Sequence, residues 1–250
     1  MIKFSVLGCV YFGDKSEEFN LSLKSIADQT LMPNEVVLVV DGLVDKKINN
    51  VINFFKKKIP LKVVRLKKNM GLGFALQIGL NKCSYEYVFR FDADDINRKY
   101  RFKKQIKFLI KNKNVDILSG HIEEFKYKPG DFGVVRKSTI GIKNIKEIIY
   151  WKNPINHVST VFKKSSILSV GGYIHHYGME DYNLWIRSIS SNLIIESIDD
   201  ILVDVRVDSL TERRRGLKHF KPELKLFLMK VNYLKGRFIT NVFILFLRLF

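Results

Sequence analysis

The first 120 residues alternate between short runs of β-branched apolar residues and longer segments whose apolar positions recur every three or four residues. This alternation is typical of βαβ units, in which helices cover a parallel sheet. It predicts strands at Phe4–Val10, Glu35–Asp41, Leu61–Leu66, Tyr85–Asp92 and Val115–Gly120. The helices predicted between them are Glu17–Gln29, Val44–Lys57, Gly71–Lys82 and Arg98–Lys111.

The pattern changes after Gly120, where we expect parallel winding to stop. Two short stretches, His121–Tyr127 and Phe132–Thr139, flank a Lys-Pro-Gly-Asp turn and predict an antiparallel hairpin. The later elements predicted are a helix at Asn144–Trp151, a strand at Val158–Phe162, a helix at Met179–Ser190, strands at Leu193–Ser197 and Ile201–Arg206, and a basic helix at Gly216–Leu234. We expect one continuous domain with two parts, 1–120 and 121–237, and a tail at 238–250.

Composition and charge narrow the class of protein. With 250 residues, 46% of them hydrophobic and 27% charged, the chain is typical of a folded globular protein and not of a disordered or disulfide-stapled one. Lys and Arg number 43 against 25 Asp and Glu, which gives a net charge of +18. The partners expected are therefore anionic: nucleic acid, an anionic membrane or a phosphorylated small molecule. Cys9 and Cys83 lie in apolar surroundings without metal-ligand spacing, which indicates a reducing cytosol.

The strongest chemical signal is Phe89–Asp95, an apolar strand that runs directly into three carboxylates. Side chains two positions apart in an extended segment point the same way, so Asp92 and Asp94 would converge on one Mg²⁺ or Mn²⁺ bound to a diphosphate, with Ala93 keeping the space open. The alternative is a solvated acidic turn. In that turn, Asp95 would cap a helix that starts near Asn97.

A second acidic pair, Glu180 and Asp181, starts the predicted helix at Met179–Ser190. Acidic side chains at a helix start also complement the helix dipole, and that alternative needs no catalytic role. The functional interpretation gains weight from the distant Asp92–Asp94 pair, because sugar transfer needs both a metal at the leaving group and a general base.

Five segments in this order resemble the family 2 inverting glycosyltransferases of the GT-A fold, particularly the bacterial polysaccharide and O-antigen enzymes. They are Ser5–Tyr11 with Ser25–Thr30, Glu35–Gly42, Asn69–Gly73 with Asn81, Arg90–Asp95 with Arg101 and Phe102, and Asn153–Val158 with Gly171–Tyr173 and Glu180–Asp181. The resemblance implies an α/β, Rossmann-like fold with a mostly parallel central sheet, helices on both faces and a smaller antiparallel and helical acceptor-side half. Residues 1–120 would bind the nucleotide-sugar and residues 121–237 the acceptor.

The resemblance also implies roles at the donor site. The donor would be a UDP-sugar, held with Mg²⁺ or Mn²⁺ by Asp92, Ala93 and Asp94, and Asp94 would be the more direct metal ligand. Further donor-binding positions are Val10 and Tyr11 in the nucleotide cleft, Asp41 at the base, and Gly71 and Gly73 beside the donor. For the two glycines, flexibility at a helix start is an equal alternative. The chain departs from the family at Val40, where many members have a second aspartate before Asp41.

On the acceptor side, Asp181 matches the general base of a single displacement with inversion, and Glu180 would position the acceptor or support that base. His157 would face the acceptor cleft or be a packed loop histidine. Arg213 and Arg215 belong to an arginine run that would close over the diphosphate or form a solvated face. The acceptor implied is a glycan or a polyprenyl-diphosphate-linked sugar.

The basic C-terminal region ends in the apolar sequence FITNVFILFLRLF, which is too short to span a bilayer. It predicts either attachment to the inner face of the cell membrane or a helix packed on the domain. A cytoplasmic, peripheral location is therefore expected.

Three rival functions have less support. A nucleotidyltransferase would need a glycine-rich, lysine-containing phosphate loop, and only one glycine, Gly13, follows the first strand. A nucleic-acid-binding protein fits the charge, but no recognisable nucleic-acid-binding motif is present, so no nucleic acid is expected. A non-catalytic basic α/β relative would not be expected to keep Asp92, Asp94 and Asp181.

Overall fold

This computed structural model describes residues 2–207 and 220–234. A mixed sheet forms the centre of this part of the chain. The strands follow the order β3-β2-β1-β4-β8-β6-β9-β5, and β7 pairs with β6. Their bounds are β1 Phe4–Tyr11, β2 Glu35–Asp41, β3 Leu61–Arg65, β4 Tyr87–Arg90, β5 Ile96–Asn97, β6 Ile117–Phe125, β7 Val134–Arg136, β8 Val161–Lys163 and β9 Ile195–Arg206.

Helices cover both faces of this sheet. Their bounds are α1 Ser16–Ala27, α2 Lys46–Phe55, α3 Leu72–Lys82, α4 Arg101–Lys111, α5 Ile142–Ile148, α6 Lys164–Ser169, α7 Glu180–Ser190 and α8 Phe220–Leu234. Alternation along β1 divides the core between the faces, because successive strand residues point to opposite sides. Val6 packs with α1, α2 and α4, whereas Leu7 packs with α3 and the helices of the second half.

The parallel part of the sheet consists of β3, β2, β1 and β4. Its register sets Tyr11, the last residue of β1, beside Asp41, the last residue of β2. The strands and helices predicted for this half are present, as is the α/β fold class. The carboxyl ends of these strands therefore meet at one edge, where open α/β sheets bind ligands.

The segment after β4 differs from its prediction. Asp95 does not cap a helix near Asn97, because its buried carboxylate accepts the backbone N–H of Arg206 at 2.9 Å. Ile96 and Asn97 form β5 and pair with β9. Because of this pairing the backbone stays in an extended conformation as far as Asn97, and α4 starts only at Arg101.

The second half contains longer strands than the sequence pattern predicted. The stretches predicted as Val115–Gly120 and His121–Tyr127 are one strand, β6, and the two short strands predicted after α7 are also one, β9. The pairing of β6 with β9 shifts register on both sides of His121. Strand β6 also pairs with β8 before His121 and with β7 after it. Parallel pairing does not stop at Gly120, since β6 and β9 are parallel. The sheet is thus mixed in this half.

The strand predicted at Val158–Phe162 divides into a 3₁₀ turn, His157–Ser159, and β8. Helix α6, which was not predicted, follows β8 directly. The predicted basic helix is described from Phe220 onwards as α8, and it packs against α7. No helix among the described residues is long and apolar enough to cross a membrane.

Candidate active site

A cavity of about 320 Å³ opens at the carboxyl ends of the parallel strands. It is bounded by the ends of β1 and β2, the loop before α3 and the acidic segment after β4. Its lining residues are Cys9, Tyr11, Asp14, Asp41, Asn69, Gly71, Leu72, Asp92, Ala93 and Asp94. Six of these ten were predicted as donor-site residues, so the structure brings most of the predicted donor site together.

Asp41 anchors the loop that forms one wall of this cavity. Its Oδ1 accepts the backbone N–H of Met70 at 2.7 Å, and its Oδ2 accepts that of Gly71 at 2.9 Å. Gly71 has a φ of +85°, a conformation that favours glycine, and it is the residue that precedes α3. The buried carboxylate therefore sets the shape of the loop and faces the cavity at the same time.

Two predicted donor-site residues lie elsewhere. The side chain of Val10 is fully buried in the core beside α1, because strand alternation turns its neighbours Cys9 and Tyr11 towards the cavity instead. Gly73 lies against the loop before α7, where a Cβ atom would approach the Cα of His175 to 2.9 Å. Gly73 thus permits close packing between α3 and this loop and does not line the cavity.

Asp92 and Asp94 both line the cavity, as predicted, but β4 ends at Arg90 and Ala93 and Asp94 lie in a turn, not in the extended segment that the sequence pattern predicted. The guanidinium of Arg90 is fully buried beneath them, and it forms an ion pair with Asp92. It also donates to the backbone carbonyl oxygens of Leu7 and Phe91. Arg90 therefore holds one carboxylate of the pair in place from the protein interior.

The pKa values record how crowded the acidic groups are. Burial, and then the charge of Asp92, raises the pKa of Asp94 to about 6. Asp14, on the loop after β1, has its pKa raised to about 7, mainly by burial and further by Asp94 and Asp92. Burial also raises the pKa of Asp95 well above its usual value. The protein alone therefore does not fully offset the burial and mutual repulsion of the ionised carboxylates at this cavity.

This arrangement fits a divalent cation bound together with a substrate phosphate. Among the described residues, no group of three or more His, Cys, Asp or Glu side chains is placed to hold a metal ion. Mg²⁺ commonly takes only one or two carboxylates from the protein and further oxygens from phosphates and water. Asp94 and Asp92 supply such hard oxygen ligands beside an open cavity, and a cation would relieve their repulsion.

The second acidic pair begins α7. The Asp181 carboxylate accepts the side-chain N–H of Asn153 at 2.6 Å through Oδ2 and the backbone N–H of Tyr182 at 2.8 Å through Oδ1. Glu180 is buried, which raises its pKa, although backbone N–H groups of the turn before α7 hydrogen-bond its carboxylate. Asp181 is therefore the more accessible carboxylate, and Glu180 stabilises the turn that carries it.

Charges from both acidic regions contribute to the pKa of Tyr173. Burial raises the pKa of its hydroxyl, Arg90 opposes that rise, and the charges of Asp181 and Asp92 both add to it. The hydroxyl is also 2.9 Å from Nε2 of His157. Asp92 at the cavity and Asp181 at the start of α7 are thus close enough to act on the same side chain.

His157 is a packed histidine in this structure. Its ring lies beside Tyr173 and is edge-on to Trp185, with ring centroids 6.0 Å apart in the second pair. Burial, and then the charge of Arg90, lowers the pKa of His157 well below its usual value. The geometry therefore favours the structural alternative, in which a neutral His157 supports Tyr173 beside the site.

Some predicted site residues lie outside the described residues, namely Arg213, Arg215 and the tail at 238–250. The described helix α8 contacts α7 through buried Leu226 and through Lys230, whose Nζ lies 4.7 Å from the centroid of the Tyr182 ring. Helix α8 therefore supports the helix that starts with the Glu180–Asp181 pair.

Sequence reasoning did not assign a role to Asp14, Cys9, Leu72 or Asn153. For Asp14 a signal was available, since it follows β1 by three residues and so belongs to the carboxyl edge of the sheet. Asn153 lies within a segment that carried the family resemblance, but its contact with Asp181 spans 28 residues. No local pattern encodes such a contact.

Comparison with known proteins identifies the family. Residues 10–170 match the family described as "Glycosyl transferase family 2". The chain is 40% identical over 246 residues to a UDP-Gal:alpha-D-GlcNAc-diphosphoundecaprenol beta-1,3-galactosyltransferase of Escherichia coli, an alignment that covers 96% of this chain and 88% of that protein. It is 36% identical over 248 residues to the amylovoran biosynthesis glycosyltransferase AmsE of Erwinia amylovora, covering 98% and 92%.

Solved structures share the fold. The S. aureus TarS fragment 1–349 in complex with UDP-GlcNAc has a TM-score of 0.73 at 20% identity, covering 98% of this chain and 70% of that one. In another crystal structure of S. aureus TarS, this chain covers 42% of the length of that chain. The mannosyltransferase PcManGT from Pyrobaculum calidifontis, in complex with GDP-Man and Mn²⁺, has a TM-score of 0.66 at 18% identity, covering 94% and 65%.

This chain belongs to glycosyltransferase family 2. It is a glycosyltransferase, an enzyme of the EC 2.4 class, and it has the GT-A fold that the sequence resemblance implied. Divalent metals are typical of GT-A enzymes, and one structural relative contains Mn²⁺.

Proposed function

We propose that this enzyme transfers a sugar from a UDP-sugar to an acceptor hydroxyl with inversion of configuration, in the synthesis of a bacterial cell-surface polysaccharide. The observation that carries the proposal is the cavity at the carboxyl ends of the parallel strands, which Asp41, Asp92 and Asp94 line together. The names of the two relatives, a UDP-galactose-dependent enzyme and an amylovoran biosynthesis enzyme, support the donor and the pathway class.

The donor occupies the cavity in this proposal. Asp41 and the loop at 69–71 hold the base, and Tyr11 and Leu72 provide partly exposed apolar surface beside it. Asp94, with Asp92, holds Mg²⁺ or Mn²⁺ at the diphosphate. That ion, when bound, supplies positive charge that stabilises the departing nucleoside diphosphate.

Asp181 acts as the general base. Its carboxylate takes the proton of the acceptor hydroxyl as that oxygen attacks the anomeric carbon from the face opposite the diphosphate. One displacement of this kind inverts the configuration. Asn153 and the Tyr182 N–H each donate one hydrogen bond to this carboxylate, to Oδ2 and Oδ1 respectively, and so fix its orientation.

The acceptor proposed is a sugar on a polyprenyl diphosphate, and the enzyme works at the cytoplasmic face of the inner membrane. One relative is named for a diphosphoundecaprenol-linked acceptor. Exposed apolar side chains in α3 and in the loop before α7 also support the proposal: Phe74 is 47% and Ile174 41% exposed. The Phe74 ring stacks on that of His175 at 5.6 Å, so α3 and the loop before α7 form a continuous surface there. In this scheme residues 1–120 bind the donor, and residues 121–237 bind the acceptor.

The first experiment is a thermal-shift titration with UDP, GDP, CDP and TDP, each with and without Mn²⁺. Ligands that bind only the folded state raise its melting temperature. We expect stabilisation by UDP that depends on Mn²⁺. Stabilisation by DNA with no response to any nucleotide would contradict the proposal.

The Asp181→Asn variant tests the base. We expect transfer to fall by roughly 10²–10⁴-fold, the usual contribution of a general base. UDP binding should remain nearly unchanged, because Asp181 does not line the donor cavity. Near-normal turnover of this variant would show that another group is the base.

A further inference from the structure

Asn153 lies in the loop after α5, and its side-chain nitrogen is 2.6 Å from Oδ2 of Asp181. We propose that Asn153 is the positioning residue of this enzyme: it holds the Asp181 carboxylate in its ionised form and in the orientation that receives the acceptor proton. The proposal rests on the proposed function, in which Asp181 is the general base.

The contact determines which way the Asn153 amide faces. An ionised carboxylate oxygen only accepts hydrogen bonds, so the NH₂ group of Asn153 must face Asp181. Its Oδ1 is then buried, and it has no hydrogen-bond partner within the described ranges 2–207 and 220–234. Buried polar atoms are rarely left in this state, because they lose their hydrogen bonds to water without replacement.

An apolar side chain of similar size at this position would avoid that unsatisfied oxygen. The asparagine therefore does not serve packing alone. What it contributes is the N–H directed at Asp181, and this is the contribution expected where function overrides local stability.

The loop that carries Asn153 has hydrogen bonds to segments other than α7, in addition to the core that it shares with that helix. The carbonyl oxygen of Pro154 accepts the backbone N–H of Thr139 at 2.8 Å, and Ile155 is buried in the core. The side-chain amide of Asn156 donates to the carbonyl oxygen of Arg136 at 3.0 Å. Asn153 thus reaches Asp181 from a rigid segment outside the helix that carries the carboxylate.

The two hydrogen bonds to Asp181 have a chemical consequence. Donors directed at the ionised form of a carboxylate favour that form over the protonated one. Together with the Tyr182 N–H, the Asn153 amide also defines the plane of the carboxylate, and proton transfer depends on that orientation. The charge of Asp181 contributes to the raised pKa values of Tyr173 and Glu180.

The test is Asn153→Leu, which keeps the size of the side chain and removes the donor. We expect kcat to fall by about 10- to 100-fold with little change in KM for the UDP-sugar. The acid limb of the kcat/KM profile should move to higher pH, because the ionised base has lost a hydrogen bond.

The matched control is Asn156→Ala in the same loop. It removes one anchor of the loop, and the Thr139–Pro154 hydrogen bond and buried Ile155 still hold Asn153 in place. The variant should therefore lower the melting temperature without moving the acid limb. If Asn153→Leu lowers the melting temperature and kcat but leaves the acid limb in place, Asn153 is only structural and the proposal is wrong.

A second readout does not depend on turnover. The ¹³C-carboxyl resonance of Asp181, assigned by its loss in Asp181→Asn, is titrated by NMR in the wild type and both loop variants. We expect a higher midpoint in Asn153→Leu and the wild-type midpoint in Asn156→Ala. An unchanged midpoint in Asn153→Leu overturns the proposal even if the enzyme transfers sugar. A shifted midpoint without any wild-type transfer supports the contact and contradicts the proposed function.

Discussion

Replacing Asp41 with asparagine tests whether one carboxylate shapes the donor site. The two oxygens of Asp41 accept the backbone N–H groups of Met70 and Gly71 at 2.7 and 2.9 Å. Asparagine keeps one acceptor oxygen and places an NH₂ group, which is a donor, opposite the other N–H. The variant therefore loses one charge-assisted hydrogen bond at a buried position.

The expected loss of stability follows from this one lost hydrogen bond. A hydrogen bond to a charged group contributes about 1.5–3 kcal/mol to stability. For a chain of this size each kcal/mol lowers the melting temperature by about 2–4 °C, so we expect a decrease of about 3–12 °C. UDP affinity should also fall, because the loop released by the substitution forms one wall of the cavity.

Asp45→Asn is the matched control. Asp45 caps α2, and its side-chain Oδ1 accepts the backbone N–H of Ile48 at 2.7 Å. Asparagine caps helices about as well as aspartate, so this variant should unfold close to the wild type. Denaturant unfolding followed by circular dichroism and UDP titration by calorimetry measure both variants. If Asp41→Asn is as stable as Asp45→Asn and binds UDP equally well, the two loop hydrogen bonds do not matter and the reasoning is refuted.

Three further predictions concern the cavity and its surroundings. Asp94→Ala should abolish the Mn²⁺-dependent part of UDP binding in calorimetry, and retention of that part would exclude Asp94 as a ligand. Asp14→Asn should raise the melting temperature of the metal-free protein at pH 8 but not at pH 4. The reason is that folding raises the pKa of Asp14 to about 7, so the ionisation of Asp14 destabilises the folded state as the pH rises through that value. Equal melting temperatures at pH 8 would show that the Asp14 charge is compensated. Gly73→Ala should destabilise the protein by about 1–3 kcal/mol in denaturant unfolding, because its Cβ would lie 2.9 Å from the Cα of His175 and 3.0 Å from the carbonyl oxygen of Ile174. An unchanged stability would show that the loop before α7 yields easily.

The sequence by itself determined the features that depend on local chemistry. The order of strands and helices up to β4 follows from hydrophobic periodicity, which reflects the geometry of each element. The Asp92–Asp94 pair was predictable because it directly follows an apolar strand of the parallel sheet, whose carboxyl edge binds ligands in open α/β folds. The start of α7 at Glu180 and Asp181 was predictable because a glycine and an acidic pair together indicate the start of a helix.

Tertiary structure alone decided the features that join distant parts of the chain. Asp95 accepts a backbone N–H from Arg206, 111 residues away, and so becomes part of the sheet instead of a helix cap. The direction of β1 side chains placed Val10 in the core and Cys9 at the cavity, although both lie in one apolar run. Asn153 meets Asp181 only because its loop is anchored on the β6–β7 side while α7 starts beside it. Periodicity reports which residues are buried within an element, whereas these contacts depend on how separate elements pack, and a local pattern carries no information about that.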